Sequence, residues 1–247
     1  MCRWGCDLVF LVGCFYLVAC VQRPGGEGDD DDDATDVVVE VLGEDFRCIP
    51  PGNGPFPGVL YNHGGLGDQI GGDLEGTCRA LAEAGYVAYS KKRRATVPLD
   101  GHLDGHLDDV QDGADALQGT AEVDPDALAI VGFSRGGLLT LQAALLWPEL
   151  WRAVVLMAPA PANNTLSDTL ADVSELAAPV LLQVSENDRF QSDHVQHVAD
   201  ITLALEGAGK PYESILYPPC GDDGHELFWE VQEPYWSDLV AFLHGQL

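Results

Sequence analysis

Basic side chains are scarce in this sequence: 12 Lys+Arg stand against 40 Asp+Glu in 247 residues, a formal net charge of -28. Such a balance repels phosphate backbones and anionic lipid headgroups within about a Debye length, ~8 Å at physiological ionic strength. Nucleic acid is therefore not an expected partner, and the acidity reads as a solubility device. Long apolar runs are also missing, since none reaches the ~20 residues that cross a bilayer as a helix. There is no CxxC pair and no Cys/His cluster, so no zinc centre is expected. Nothing in the sequence calls for an organic cofactor.

What is present begins with an apolar segment at residues 8–21, after Arg3. Its length of about 14 residues is too short to span and suits the h-region of an export signal. Its end, Leu17-Val18-Ala19-Cys20, resembles the lipobox of bacterial lipoprotein signal peptides. That resemblance implies cleavage before Cys20 and lipid on that cysteine, hence an exported, membrane-anchored protein. Residues 20–36, with the aspartate run Asp29–Asp33, lack side chains that could form a core and read as an extended acidic tether. The catalytic-size domain is then residues 37–247. Beyond the signal, Cys48, Cys78 and Cys220 permit one bridge among themselves, and the sequence does not name the pair.

From residue 37 short apolar runs alternate with segments of helical period. Strands are expected at 37–42, 58–62, 86–89, 127–132, 153–157, 180–184 and 212–217, and helices at 73–84, 103–118, 136–147, 193–205 and 234–243. The strand runs lack polar alternation, which predicts burial on both faces. This βαβα order defines an α/β fold with a mostly parallel central sheet flanked by helices on both faces. Loops at the carboxyl ends of its strands converge on one side, where sites form.

The loops on that side hold the polar residues of interest. Gly132-Phe133-Ser134-Arg135-Gly136 follows a strand and opens a helix. That is the context of a nucleophile elbow, in which the two glycines allow the backbones to approach and the bend exposes the serine hydroxyl. The N–H of Arg135 at the helix start can donate to a developing oxyanion. A second donor is expected from Gly65 or Leu66, in the glycine-rich turn that starts at His63, with His63 itself holding the turn by hydrogen bonds. Serine needs a base, and of the seven histidines His225 sits in a loop between the last strand and the last helix. Asp188 is the candidate acid, with Glu186, Asp222 and Asp223 as rivals. His194 and His197 read as solvated or packing residues of a helix, and His244 as exposed. His102 and His106 have a spacing that could hold a metal, but without an identifiable third ligand they read as part of a helix start. The basic run Lys91, Lys92, Arg93 and Arg94 either binds a substrate anion or pairs with acidic neighbours.

The order Ser134, Asp188, His225 and the segments YNHGGLG, VDPDALAIVGFSRGG, PVLLQVSENDRF and GDDGHELF resemble the α/β-hydrolase superfamily. Within it they resemble the dienelactone hydrolase-like branch and its relatives among prolyl oligopeptidase-type catalytic domains. The resemblance implies a Ser134-Asp188-His225 triad and an oxyanion hole from Arg135 with Gly65 or Leu66. It implies hydrolysis of a small acyl substrate through an acyl-enzyme without metal or cofactor. Dienelactone hydrolases proper carry cysteine where this chain has Ser134, which favours a general ester over dienelactone. The peptidase-type relatives usually carry a propeller that is absent here. The connection 158–179 is too short for a large cap, so residues 158–169 are expected to form a small rim. A peptidase, an acyltransferase and a non-catalytic binding lipoprotein on the same shell are the alternatives.

Overall fold

The computed structural model describes residues 36–65, 69–94 and 104–247. The signal segment, Cys20, most of the acidic tether, Leu66 and His102 lie outside the described residues. Eight strands form one sheet: β1 (Val38–Leu42), β2 (Asp45–Ile49), β3 (Phe56–Asn62), β4 (Val87–Lys91), β5 (Val123–Phe133), β6 (Ala153–Met157), β7 (Val180–Ser185) and β8 (Tyr212–Tyr217). Their order is β1-β2-β4-β3-β5-β6-β7-β8, and every pairing from β4 through β8 is parallel.

The central strands are apolar along their whole length because both faces are covered. Side chains of β5 alternate between two cores. Leu128 and Ile130 face the layer containing Leu138 of α3 (Arg135–Leu146) and Val110 of α2 (Asp104–Gln118). Ala129, Val131 and Phe133 face Leu81 of α1 (Leu74–Glu83) and Leu239 of α6 (Tyr235–Gln246). At about 25 cal/mol per Å² of apolar surface removed from water, this two-sided burial is the main stabilising contribution.

Two expectations are corrected at the margins. Burial on both faces fails for the outer strands: Val38, Val41 and Leu42 of β1 are exposed, as is much of β8. A terminal strand has a neighbour on one side only, which leaves more of its side chains open to solvent. The strand β2 was not expected, because Asp45 and Arg47 break its apolar pattern. It pairs antiparallel with both β1 and β4, and its polar side chains are satisfied laterally: Arg47 pairs with Glu40 and Asp45 with Lys91. A disulfide joins Cys48 of β2 to Cys78 of α1.

The chain leaves β3 in the centre, passes to β4 on one side, and returns to β5 on the other. Loops after β3 and β5 therefore diverge, opening a crevice at the carboxyl edge of the sheet. Between β6 and β7 there is only a short helix, α4 (Thr165–Leu170), and a 3-10 turn at Val173–Glu175, so among the described residues no large cap covers this edge.

Close approach at the elbow is testable. A Cβ on Gly136 would sit on the carbonyl oxygen of Asn62, and one on Gly132 on the carbonyl of Gly136 and the hydroxyl of Thr140. Backbone cannot retreat there without separating β3 from α3, so Gly136→Ala is expected to destabilise the fold by about 3 kcal/mol. Gly207, in α5 (His194–Ala208), has open space around it, and Gly207→Ala should stabilise by about 0.5–1 kcal/mol through helix propensity. Urea unfolding midpoints shifted in the same direction for both variants would contradict this account.

Candidate active site

Ser134 is the single residue between β5 and α3, and it holds φ 53° and ψ -117°, a region that costs a non-glycine residue of order 1–3 kcal/mol. Surrounding bonds fix it there. Its N–H donates to the Met157 carbonyl at 2.8 Å, and its own carbonyl accepts from Ala160 at 2.9 Å and Leu138 at 3.2 Å. Because that carbonyl points down the helix, the N–H of Arg135 on the same peptide unit points outward into the crevice.

The loop after β3 is built by the same logic. Arg93 is buried, and its backbone N–H donates to His63 Nε2 at 3.1 Å. The His63 proton must then sit on Nδ1, where it donates to the Gly64 carbonyl at 2.5 Å. Burial, aided by the Arg93 charge, pushes the His63 pKa down to about 2, which keeps this tautomer neutral. The Arg93 guanidinium donates to the carbonyls of His63 and Gly64, the latter at 3.3 Å. Gly71 completes the turn by donating to Gly64 at 3.0 Å. With the Gly64 carbonyl so held, the Gly65 N–H on the same peptide plane faces the opposite way. Gly65 takes φ +91° and its missing Cβ would strike the Gln69 carbonyl.

His225 lies in a 3-10 turn at Gly224–Phe228 that is capped by Asp223, whose carboxylate accepts the His225 backbone N–H at 2.9 Å. Its Nδ1 stands 3.0 Å from both carboxylate oxygens of Asp188. Asp188 is 0% exposed and His225 2% exposed. The two loops meet because Gly224 has no side chain: a Cβ there would lie 2.7 Å from both Asn187 Oδ1 and the Asp188 nitrogen. Asn187 then staples them, accepting from Cys220 N–H at 3.0 Å and donating to the Cys220 carbonyl at 3.3 Å. Of the rival acids, Asp223 serves the backbone, and Glu186 and Asp222 are exposed.

Ser134, Arg135, Gly65 and His225 all line one cavity of about 1080 Å³. The His225 ring is held on several sides. Phe133 packs at 4.6 Å between ring centroids, Phe190 stacks at 5.0 Å and 15°, and His194 lies at 4.5 Å. Phe190, 40% exposed, and Trp229, 45% exposed, give the mouth an apolar edge, while Ala160 and Ala162 supply the small rim.

Several expectations sort themselves here. His194 is not solvated: it is 2% exposed and packs against His225. His106 is buried in α2, where its Nε2 faces the Arg94 carbonyl at 3.0 Å, and burial lowers its pKa to about 4. Two of the four basic residues of the run are ion-paired, Lys91 with Asp45 and Arg94 with Asp109. Arg93 instead braces the glycine turn, and burial beside Arg135 lowers its pKa to about 9. His244 is exposed as expected and bonds the Ala84 carbonyl at 3.1 Å. Asn187, Phe190, His194 and Trp229 were not singled out from sequence as parts of a site. Only Asn187 carried a signal, as the neighbour of the candidate acid.

An eight-stranded, mostly parallel sheet with a serine elbow and an Asp-His pair at its carboxyl edge defines an α/β-hydrolase fold. The chain belongs to the Dienelactone hydrolase family, whose sequence profile matches residues 46–233. Esterase B from Lactobacillus rhamnosis is similar in structure, with 17% identity, TM-score 0.66 and 88% of each chain covered. An acetyl xylan esterase from Paenibacillus sp. R4 has 16% identity and TM-score 0.62, over 82% of this chain and 79% of that one. Porphyromonas gingivalis dipeptidyl peptidase 4 has 19% identity and TM-score 0.65 over 86% of this chain, which spans only 35% of the peptidase. No curated protein sequence matches the chain.

Proposed function

We propose that this protein is a serine hydrolase that cleaves carboxylic esters or related acyl bonds of small substrates through an acyl-enzyme on Ser134. The observation that carries the reading is the His225 Nδ1 contact with both Asp188 oxygens, beneath a cavity shared with Ser134. An ionised carboxylate accepts, so Nδ1 carries the proton and Nε2 keeps its lone pair. In this scheme Nε2 takes the Ser134 proton as the oxygen attacks the acyl carbon, and the imidazolium returns it to the leaving alcohol. Arg135 N–H and a donor at Gly65 or Leu66 stabilise the oxyanion. Water repeats the sequence to release the acid.

Ester cleavage is favoured over peptide cleavage by the absence of a large cap and by the esterases among similar structures, one of them described as phosphonate-inhibited. The full chain is expected to react with a fluorophosphonate and to turn over short-chain nitrophenyl esters, both signals depending on Ser134. A folded protein that gives neither would leave the binding-lipoprotein reading in front.

The leader supports a location. With Ala19-Cys20 after the apolar run, the protein is proposed to be exported and held at a membrane by lipid on Cys20, at the end of the acidic tether. Expressed in a bacterial host, it should partition into detergent phase and gain acyl mass at Cys20. Identical partitioning of Cys20→Ser would refute lipidation at that position.

A further inference from the structure

His194 is placed as no packing residue needs to be. Its Nδ1 lies 3.2 Å from the Pro159 carbonyl and its Nε2 lies 3.0 Å from the Phe190 carbonyl. Both carbonyls only accept, yet a neutral imidazole has one N–H. Burial lowers the His194 pKa and so holds the ring neutral. With the proton on Nδ1, toward Pro159, the Nε2 lone pair faces the Phe190 carbonyl and Asp188 Oδ1 at 3.9 Å, and the Ser192 hydroxyl at 3.5 Å is the one group there able to donate to it. Asp188, His194 and His225 each offer one ligand atom, all within 4.8 Å of one another, and all three residues are buried.

We infer that Asp188, His194 and His225 form an inhibitory site for a divalent transition cation of the Zn²⁺ class. Two imidazoles and a carboxylate are the donor set that such ions prefer and that Mg²⁺ and Ca²⁺ do not. Tetrahedral ligands at ~2.0–2.2 Å from zinc lie roughly 3.4 Å apart, a spacing bracketed by the 3.0 Å from His225 to Asp188 and the 3.9 Å from His194 to Asp188. The Pro159 carbonyl fixes the outer nitrogen of His194, as carbonyls commonly do for metal-bound histidine. His194 and His225 also line the cavity, which provides a route of entry.

Inhibition follows from proton balance. The ion takes the place of the Nδ1 proton of His225, and that proton moves to Nε2, so the ring stays neutral and no proton is lost. Asp188 exchanges its N–H bond for the metal. Nε2 then carries a proton and has no lone pair with which to accept one from Ser134. The inhibition step rests on the proposed serine-hydrolase function, whereas binding of the ion does not.

The test uses the full chain, with Co²⁺ as spectroscopic probe and Zn²⁺ as inhibitor. One equivalent of Co²⁺ should give the visible absorption of a four-coordinate site, equally in wild type and Ser134→Ala, and Zn²⁺ should displace it. Saturating Zn²⁺ should lower wild-type ester turnover at least about tenfold, with recovery on chelation. His194→Gln, which keeps a donor toward Pro159, and His194→Phe, which keeps the ring packing, should each weaken Co²⁺ binding and Zn²⁺ inhibition by at least about tenfold, the lower end of what even outer-sphere losses cost. Asp188→Asn tests binding through the carboxylate ligand, which precedes His194 in the same connection between β7 and α5. Asp29–Asp33 is common to every variant, so these differences isolate the buried site. Absence of stoichiometric Co²⁺ binding, or equal Zn²⁺ sensitivity in the folded His194 variants, would overturn the inference. Histidine-dependent Co²⁺ binding in a protein without ester turnover would keep the site and remove the hydrolase reading.

Discussion

Ser134→Ala is expected to lower kcat for a nitrophenyl ester by about 10⁴–10⁶-fold and to abolish fluorophosphonate labelling, while the protein stays folded. The size follows from removal of the oxygen proposed to form the acyl bond: what would remain is the proposed oxyanion site acting on water. The fold should tolerate the change because the elbow is held by backbone bonds, from Ser134 N–H to Met157 and from Ala160 and Leu138 to the Ser134 carbonyl, none of which uses the hydroxyl. Ser134→Gly is the instructive companion. It removes the same oxygen and also relieves the side-chain strain at φ 53°, so it should unfold at a higher temperature than Ser134→Ala. If Ser134→Ala kept a tenth of wild-type turnover, the nucleophile would have to be sought elsewhere in the cavity.

The elbow was legible in the sequence because its constraint is local. Gly132 and Gly136 flank one serine, and an apolar strand and a helix lie on either side, so a short window contains the whole geometric requirement. Asp188 and His225 were legible for a different reason: the alternation of strands and helices sends every loop after a strand to one side of the sheet. The strand β2 was not legible, since its stability comes from lateral pairing with β1 and β4 rather than from an apolar pattern. His194 was hidden as well. Histidines three apart in a helical segment look like a surface pair, and what buries the first is contact with Pro159 and Phe190, residues of loops after β6 and β7. The run Lys91 to Arg94 shows the same limit. Its charge was visible, but the exclusive use of Arg93 as a brace for His63 and Gly64 depends on a turn remote in sequence.

The buried charges explain why that brace matters. In a chain with a net charge of -28, Arg93 and Arg135 are both buried, and Arg93 donates to the Gly64 carbonyl, on the same peptide as the proposed Gly65 donor. Burial depresses the pKa of each, which is the physical sign that their charge is held in the fold at a cost. A guanidinium on the carbonyl side of that peptide adds positive potential behind the N–H proposed to meet the developing negative charge.

The contribution of the proposed acid can be isolated. Asp188→Asn is expected to lower kcat by about 10⁴-fold with little change in thermal stability. The side chains are nearly isosteric, and the loop is stapled independently by Asn187 through Cys220. The loss is electronic. An amide can turn its NH₂ toward His225, which places the ring proton on Nε2 and leaves Ser134 without a base. Turned the other way it accepts from Nδ1–H but brings no charge to the imidazolium. Because Asp188 is fully buried, solvent cannot replace that charge, and the effect is far larger than for an exposed carboxylate. Slow fluorophosphonate labelling should persist, since Ser134 and the oxyanion donors remain in place. A loss of less than tenfold would move the acid's role away from Asp188, and Glu186→Gln would then decide whether its exposed neighbour carries it.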